Sequence, residues 1–114
     1  MNGFKLIVAG GRDYTDYEHL SRVIFAMADV EFADNDLSIV SNQEPGASEL
    51  GYQFAKDNFI PCYSYFSDLP EGDQQAMANN SDGLLAFWDG RCKDAKKLIA
   101  YMRLRGKFVH IVPY

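Results

Sequence analysis

Residues 4–11 read Phe-Lys-Leu-Ile-Val-Ala-Gly-Gly. A short apolar run that stops dead at Gly10-Gly11 reads as a buried strand, because a helix needs more length to bury a face. The next segment changes period. Thr15 and Glu18 form a T-x-x-E capping box, and Leu20, Val23, Ile24, Met27 and Ala28 follow the spacing of an amphipathic helix. Asp34-Asn35-Asp36 is a turn, and Leu37 to Val40 is a second strand. After the polar loop Ser41 to Gly46, the residues Ala47, Leu50, Gly51 and Phe54 line a second helix ending near Asn58, ahead of Pro61.

The same alternation continues. Cys62 to Phe66 predicts a third strand, rich in aromatics. Asp68 predicts the cap of a helix with Pro70 and Glu71 in its first turn, running to about Asn80. Gly83 to Phe87 is a fourth strand, ending at Trp88-Asp89-Gly90. Ala95, Leu98, Ile99 and Met102 stripe a last helix closed by Gly106, and Phe108 to Val112 is the final strand. The order βαβαβαβαβ predicts an α/β fold: one Rossmann-like domain over residues 1–114, with a five-stranded, mainly parallel sheet and helices on both faces.

The chain has 114 residues, 47% of them hydrophobic and 24% charged, which suits an ordinary globular domain with one core. The formal net charge of −5 repels phosphate backbones, so nucleic-acid binding is not expected. The densest cationic group is Arg91, Lys93, Lys96 and Lys97 with Arg103, Arg105 and Lys107, and it reads as a solvated helix surface. Cys62 and Cys92 lack CxxC spacing or paired histidines, so no metal site is expected and both thiols suit a reducing cytoplasm. The N-terminal apolar run is too short for a signal sequence or a membrane span. A cytoplasmic location without membrane contact follows as the expectation.

In open α/β sheets, ligands bind beyond the carboxyl ends of the strands. Three loops fall there. Gly10, Gly11, Arg12 and Asp13 combine close backbone approach with a cation suited to a phosphate or carboxylate. The alternative is a plain turn with Arg12 paired to a surface carboxylate. Ser41, Asn42, Gln43, Gly46 and Ser48 offer neutral hydrogen bonds in the second loop. In the third, Trp88 would stack on a base and Asp89, with Gly90, would hold a ribose hydroxyl; alternatively Trp88 packs over the sheet edge and Asp89 closes an Asx turn. No nucleophile, base and orienting group are grouped in the sequence. His19 and His110 fall away from strand ends, and Asp13, Glu44, Glu49 and Asp89 are unpaired acids. Binding without catalysis is therefore expected.

The segments LIVAGGRDYTDYEHL (6–20), LSIVSNQEPGASELGYQFAKDNFIP (37–61), SDGLLAFWDG (81–90) and KKLIAYMRLRGKFVHIV (96–112) resemble the YspA-like branch of the SLOG superfamily. These are Rossmann-like domains related to the LOG phosphoribohydrolases and to the DNA-processing protein DprA. The resemblance implies a nucleotide-derived small molecule as ligand. A small divergent copy of such a domain suits a phage or mobile-element protein. The chain departs from the family at several loop positions. Where the family has a GGARGAD-like loop, residues 42–48 keep only Gly46 and Ala47. Asp73 and Gln74 stand where the family carries Arg and Asn, and Cys92, Asp94 and Ala95 replace its Ser and Gly-Thr. Two arginines that would neutralise phosphate are thus absent. A LOG-like hydrolysis of an N-glycosidic or phosphoribosyl bond lacks its PGGxGT-type motif here. A third reading is an interaction protein, such as a homo-oligomer, that kept the fold and lost the ligand; the 14% aromatic content favours it modestly.

Overall fold

The computed structural model describes residues 3–30, 36–65 and 72–114. Its elements are β1 (Gly3–Gly10), α1 (Tyr17–Val30), β2 (Asp36–Ser41), α2 (Ala47–Asp57), β3 (Cys62–Ser64), α3 (Gly72–Asn80), β4 (Gly83–Trp88), α4 (Lys93–Leu104) and β5 (Phe108–Pro113). All five strands are parallel, in the order β3-β2-β1-β4-β5. The predicted α/β architecture is therefore present.

β1 is the central strand because both its faces are covered. Leu6 and Val8 face a core shared with Leu20 and Ile24 of α1 and Phe54 of α2. Ile7 and Ala9 face a second core, shared with Met77 of α3 and with Leu98 and Met102 of α4. A continuous apolar run is what a two-sided parallel strand requires. Each large side chain sealed there contributes roughly 1.5–3 kcal/mol of transfer free energy. The helices thus sit two on each side, as right-handed crossovers dictate when the chain winds outward from β1 and then returns to start β4.

Several boundaries moved. The cap of α1 is Asp16, not Thr15: the Asp16 carboxylate accepts the His19 backbone N–H at 3.1 Å. An Asp one residue nearer the helix displaces the expected capping box. β3 stops at Ser64, ahead of Tyr65 and short of the expected end at Phe66. Phe66, the Asp34-Asn35 part of the expected turn, and the expected start of α3 at Asp68, Pro70 and Glu71 lie outside the described residues. The end of α4 follows the sequence reading closely. Gly106 has φ 68°, and the Lys107 and Gly106 N–H groups donate to the carbonyls of Met102 and Arg103 at 3.1 Å each. That is a Schellman stop. No helix among the described residues is long and apolar enough to cross a membrane.

Candidate functional site

The winding direction reverses between β1 and β4, so the chain leaves their carboxyl ends toward opposite faces and opens a crevice. Gly10 of β1 pairs with Phe87 of β4 at this point. A cleft of about 150 Å³ lies there. Its floor is Ala9 and Gly10, one wall is Arg12 with Asn42, Glu44, Pro45 and Ser48, and the other is Asp73 and Gln74 of α3 with Cys92, Asp94, Ala95 and Leu98 at and within α4. An engineered cavity of about 150 Å³ holds one benzene, and whole-ligand pockets run to several hundred. This cleft takes one ring or head group, not a whole dinucleotide.

Four of the residues expected from the sequence line it: Gly10, Arg12, Asn42 and Ser48. The others serve the walls behind it. Ser41 is fully buried; its hydroxyl donates to the Ser48 carbonyl at 2.8 Å and accepts the Gln43 N–H at 2.9 Å. Gln43, at φ 58°, turns its amide to the Ser64 hydroxyl at 2.7 Å. Gly11 accepts the Ala47 N–H at 3.2 Å and donates to the Phe87 carbonyl at 2.9 Å. Gly46 packs so tightly on that strand end that a Cβ would fall 2.1 Å from the Gly11 oxygen. The Asp13 carboxylate accepts the Tyr114 hydroxyl.

The third loop does not reach the cleft. The Trp88 indole N–H donates to the Cys92 carbonyl at 3.0 Å, and the ring packs on the core that holds Leu98 and Ile99 and borders an outer groove with Ala100 and Leu104. Asp89 accepts the N–H groups of Arg91 at 2.8 Å and Cys92 at 3.0 Å, which holds its carboxyl below the usual range. Gly90, at φ 85°, makes the turn between them. Of the two alternatives open for this loop, the structure shows the Asx turn and a packed Trp.

Four backbone amides at the rim have partners, whereas no side chain caps the first turns of α2 and α4 that border the cleft. Besides Gly11 and Ala47, the Glu44 N–H donates to the Asn42 side chain at 3.1 Å and the Glu49 N–H to the Glu44 carbonyl at 3.0 Å. A phosphate cradle needs such groups free and pointing inward. The Arg12 guanidinium stands 3.5 Å from the Glu44 carboxylate and 3.9 Å from that of Asp94. Both pairs are largely exposed and long, so each is worth at most about 1 kcal/mol. Asp73 adds a third carboxylate, accepting from the Asn42 amide at 2.8 Å. Among the described lining residues, three carboxylates therefore face one cation.

Glu44 drew notice in the sequence only as an unpaired acid, and Asp73, Gln74 and Asp94 only as departures from a family pattern. Their place in the cleft depends on how the first turns of α3 and α4 cross the switch point. Among the described residues, no group of three or more His, Cys, Asp or Glu side chains is placed to hold a metal ion.

Fold and cleft together define a small, doubly wound, Rossmann-like α/β domain with a polar crevice at its switch point. No family model matches the chain, and no curated protein or solved structure matches it.

Proposed function

We propose that this protein binds, without catalysis, a small nucleotide-derived molecule at the switch-point cleft, sensing or sequestering it. The observation that carries the reading is the position of Arg12: it stands in a ring-sized cleft at the point where ligands bind in sheets of this topology. The resemblance to the SLOG superfamily supports the nucleotide class and, with it, a phage or mobile-element origin. The histidines favour binding over catalysis, since His19 packs edge-on to Phe87 and His110 lies exposed on β5. Free Cys62 and Cys92 suit residence in a reducing cytoplasm.

A thermal-shift screen tests this, using NAD, ADP-ribose, cyclic ADP-ribose forms, AMP, and cyclic di- and trinucleotides. A true ligand at 100 times its Kd stabilises the fold by about 2.7 kcal/mol. The shift should vanish in Arg12→Ala and persist in Trp88→Ala, whose side chain lies outside the cleft. Flat curves across the panel would sink the proposal. One observation favours a second reading, self-association: an apolar groove of about 460 Å³ runs beside Trp88, and Leu104 on it is 84% exposed. Sedimentation of the free protein decides that reading, a monomer at all concentrations ruling it out.

A further inference from the structure

We infer that the outer groove of α4 and the open edge of β5 together receive an extended acidic segment of another protein. This surface shares no lining residue with the cleft and does not depend on what the cleft binds. β5 is the last strand of the sheet, with no strand beyond it. Its residues Phe108–Pro113 include no Asp, Glu, Lys or Arg, and the proline comes only at the end. Exposed edges are ordinarily blunted by charge, proline or cover, since their free N–H and C=O groups pair with any extended chain. Val109 and Ile111 of β5 pack on the core that also holds Ile99 of α4. The groove of about 460 Å³ opens beside that core, lined by Trp88, Ile99, Ala100 and Leu104 with Lys96 and Arg103. Trp88 joins edge and groove, because it lines the one and pairs with Pro113 of the other.

Charge selects the occupant. Seven of the eleven Lys and Arg residues fall in residues 91–107 against one acid, Asp94, while the rest of the chain carries fifteen acidic residues against four basic ones. Arg105 and Lys107 are tied to α3, bonding Asn79 and the Ala78 carbonyl. Lys96 and Arg103 are exposed and, among the described residues, have no carboxylate partner. Salt screens the acidic remainder of the surface beyond about 8–10 Å, so a partner at this face meets the cations first. Lys96 and Arg103 stand about 10 Å apart along the helix, near the roughly 13 Å between residues i and i+4 of a strand, which share a face. A segment with an apolar residue and an acid two places to either side therefore lays its apolar group in the groove and its acids at the cations. A second copy of the chain, the other candidate for the groove, fits worse. Two-fold pairing of β5 on β5 would set the cations of both copies along one seam. A lipid surface leaves the polar edge of a strand unsatisfied, and nucleic acid lacks its alternation of donors and acceptors.

Three blocked peptides separate the outcomes: Thr-Glu-Thr-Val-Thr-Glu-Thr, the same peptide with Lys for both Glu, and the same peptide with Pro for the two central Thr. Titrated into the 15N-labelled full-length protein, the acidic peptide should shift the backbone amides of β5 and the Trp88 indole N–H. It should bind about tenfold more tightly than the Lys peptide, and the Pro peptide, which cannot pair along an edge, should not bind. The exposed double variant Lys96→Glu/Arg103→Glu should keep its Tm and reverse the preference toward the Lys peptide. Leu104→Ala, at a side chain 84% exposed, should weaken the acidic peptide several-fold with Tm unchanged. Equal binding of the acidic and Lys peptides overturns the inference, as does a Pro peptide that binds as well as its parent. Shifts confined to the Asn42 side chain and the cleft would count the same way. So would phosphatidylserine vesicles, oligothymidine or dimerisation of the protein moving the β5 and Trp88 signals while the acidic peptide leaves them still. A silent nucleotide panel beside a bound acidic peptide would refute the proposed function alone, and the opposite pair of results would refute this inference alone.

Discussion

The loops after β1 and β4 start from paired positions, Gly10 and Phe87, and leave the sheet side by side. The first delivers Arg12 into the cleft. The second folds back on itself, with Asp89 capping its own turn and the Trp88 indole donating to Cys92. The glycines differ in the same sense. A Cβ on Gly10 would lie 2.1 Å from the Phe87 carbonyl oxygen, whereas one on Gly90 would meet nothing within 4 Å. Position at a strand end does not alone make a binding loop. What matters is whether the loop's polar groups are already satisfied within it.

The largest expected effect comes from breaking the tight side of this contrast. Gly10→Ala drives a methyl group into β4 backbone that cannot retreat without opening the central strand pair. Overpacking of 1–3 kcal/mol plus a strained backbone of 1–2 sums to roughly 2–5 kcal/mol. In a domain whose whole stability is about 5–15 kcal/mol, that is a large share. Urea unfolding measures it. A loss under about 1 kcal/mol would mean that β1 and β4 can separate at their ends, and the cleft floor would be soft.

Trp88→Ala comes next. The ring is half-buried beside α4, so its removal should cost about 1.5–3 kcal/mol while leaving the cleft residues other than Cys92, whose carbonyl it bonds, in place. Chemical shifts of the Asn42 and Gln74 side-chain amides would check the second half. If those move as much as the α4 signals do, the two loops are coupled and the contrast between them fails.

The fold was legible in the sequence because each strand ends in a turn signal and each helix carries a clean apolar stripe. Gly106 could be read as a stop since only a residue tolerant of positive φ closes a Schellman motif well. The early end of β3 was not legible. Its aromatic run continues past Ser64, but pairing depends on where β2 ends at Ser41, and that partner is not encoded locally. Neither was the cleft's acidity. Glu44, Asp73 and Asp94 come from three separate segments, and only the crossing of α3 and α4 over the sheet collects them. Gln74 shows the limit best. A glutamine in a helix reads as surface, and only burial of the first turn of α3 against α4 leaves its oxygen without a donor.

A smaller effect appears in alkali, at the cluster of side chains behind the first loop. Burial, then the hydrogen bond to Asp13 and that carboxylate's charge, raise the Tyr114 phenol well above its ordinary 10.0. Tyr17 is raised too, by burial and by its hydrogen bond to Asp57. A raised phenol keeps its proton in the folded chain while the unfolded chain loses it. The folded state then binds more protons, and stability falls as pH rises. The contribution is complete below about pH 10 and is lost from there up through the folded-state value. Melting temperatures at pH 8 to 11 should fall more steeply in the native protein than in Tyr114→Phe. Parallel curves would show that Tyr114 does not carry the alkaline limb.

The smallest expected effect is Gly90→Ala. The backbone there has φ 85°, which an L side chain adopts at a cost of about 1–2 kcal/mol. Alanine also narrows the unfolded ensemble, which returns about 0.4–1 kcal/mol. With no neighbour within 4 Å of the new methyl, nothing else enters. The net loss should be about 1 kcal/mol, with the Trp88 environment unchanged by fluorescence. A loss as large as that of Gly10→Ala would need a contact on the outer side of this turn. The second loop would then be seated against another surface, such as a second copy of the chain, and no longer a closed turn in solvent.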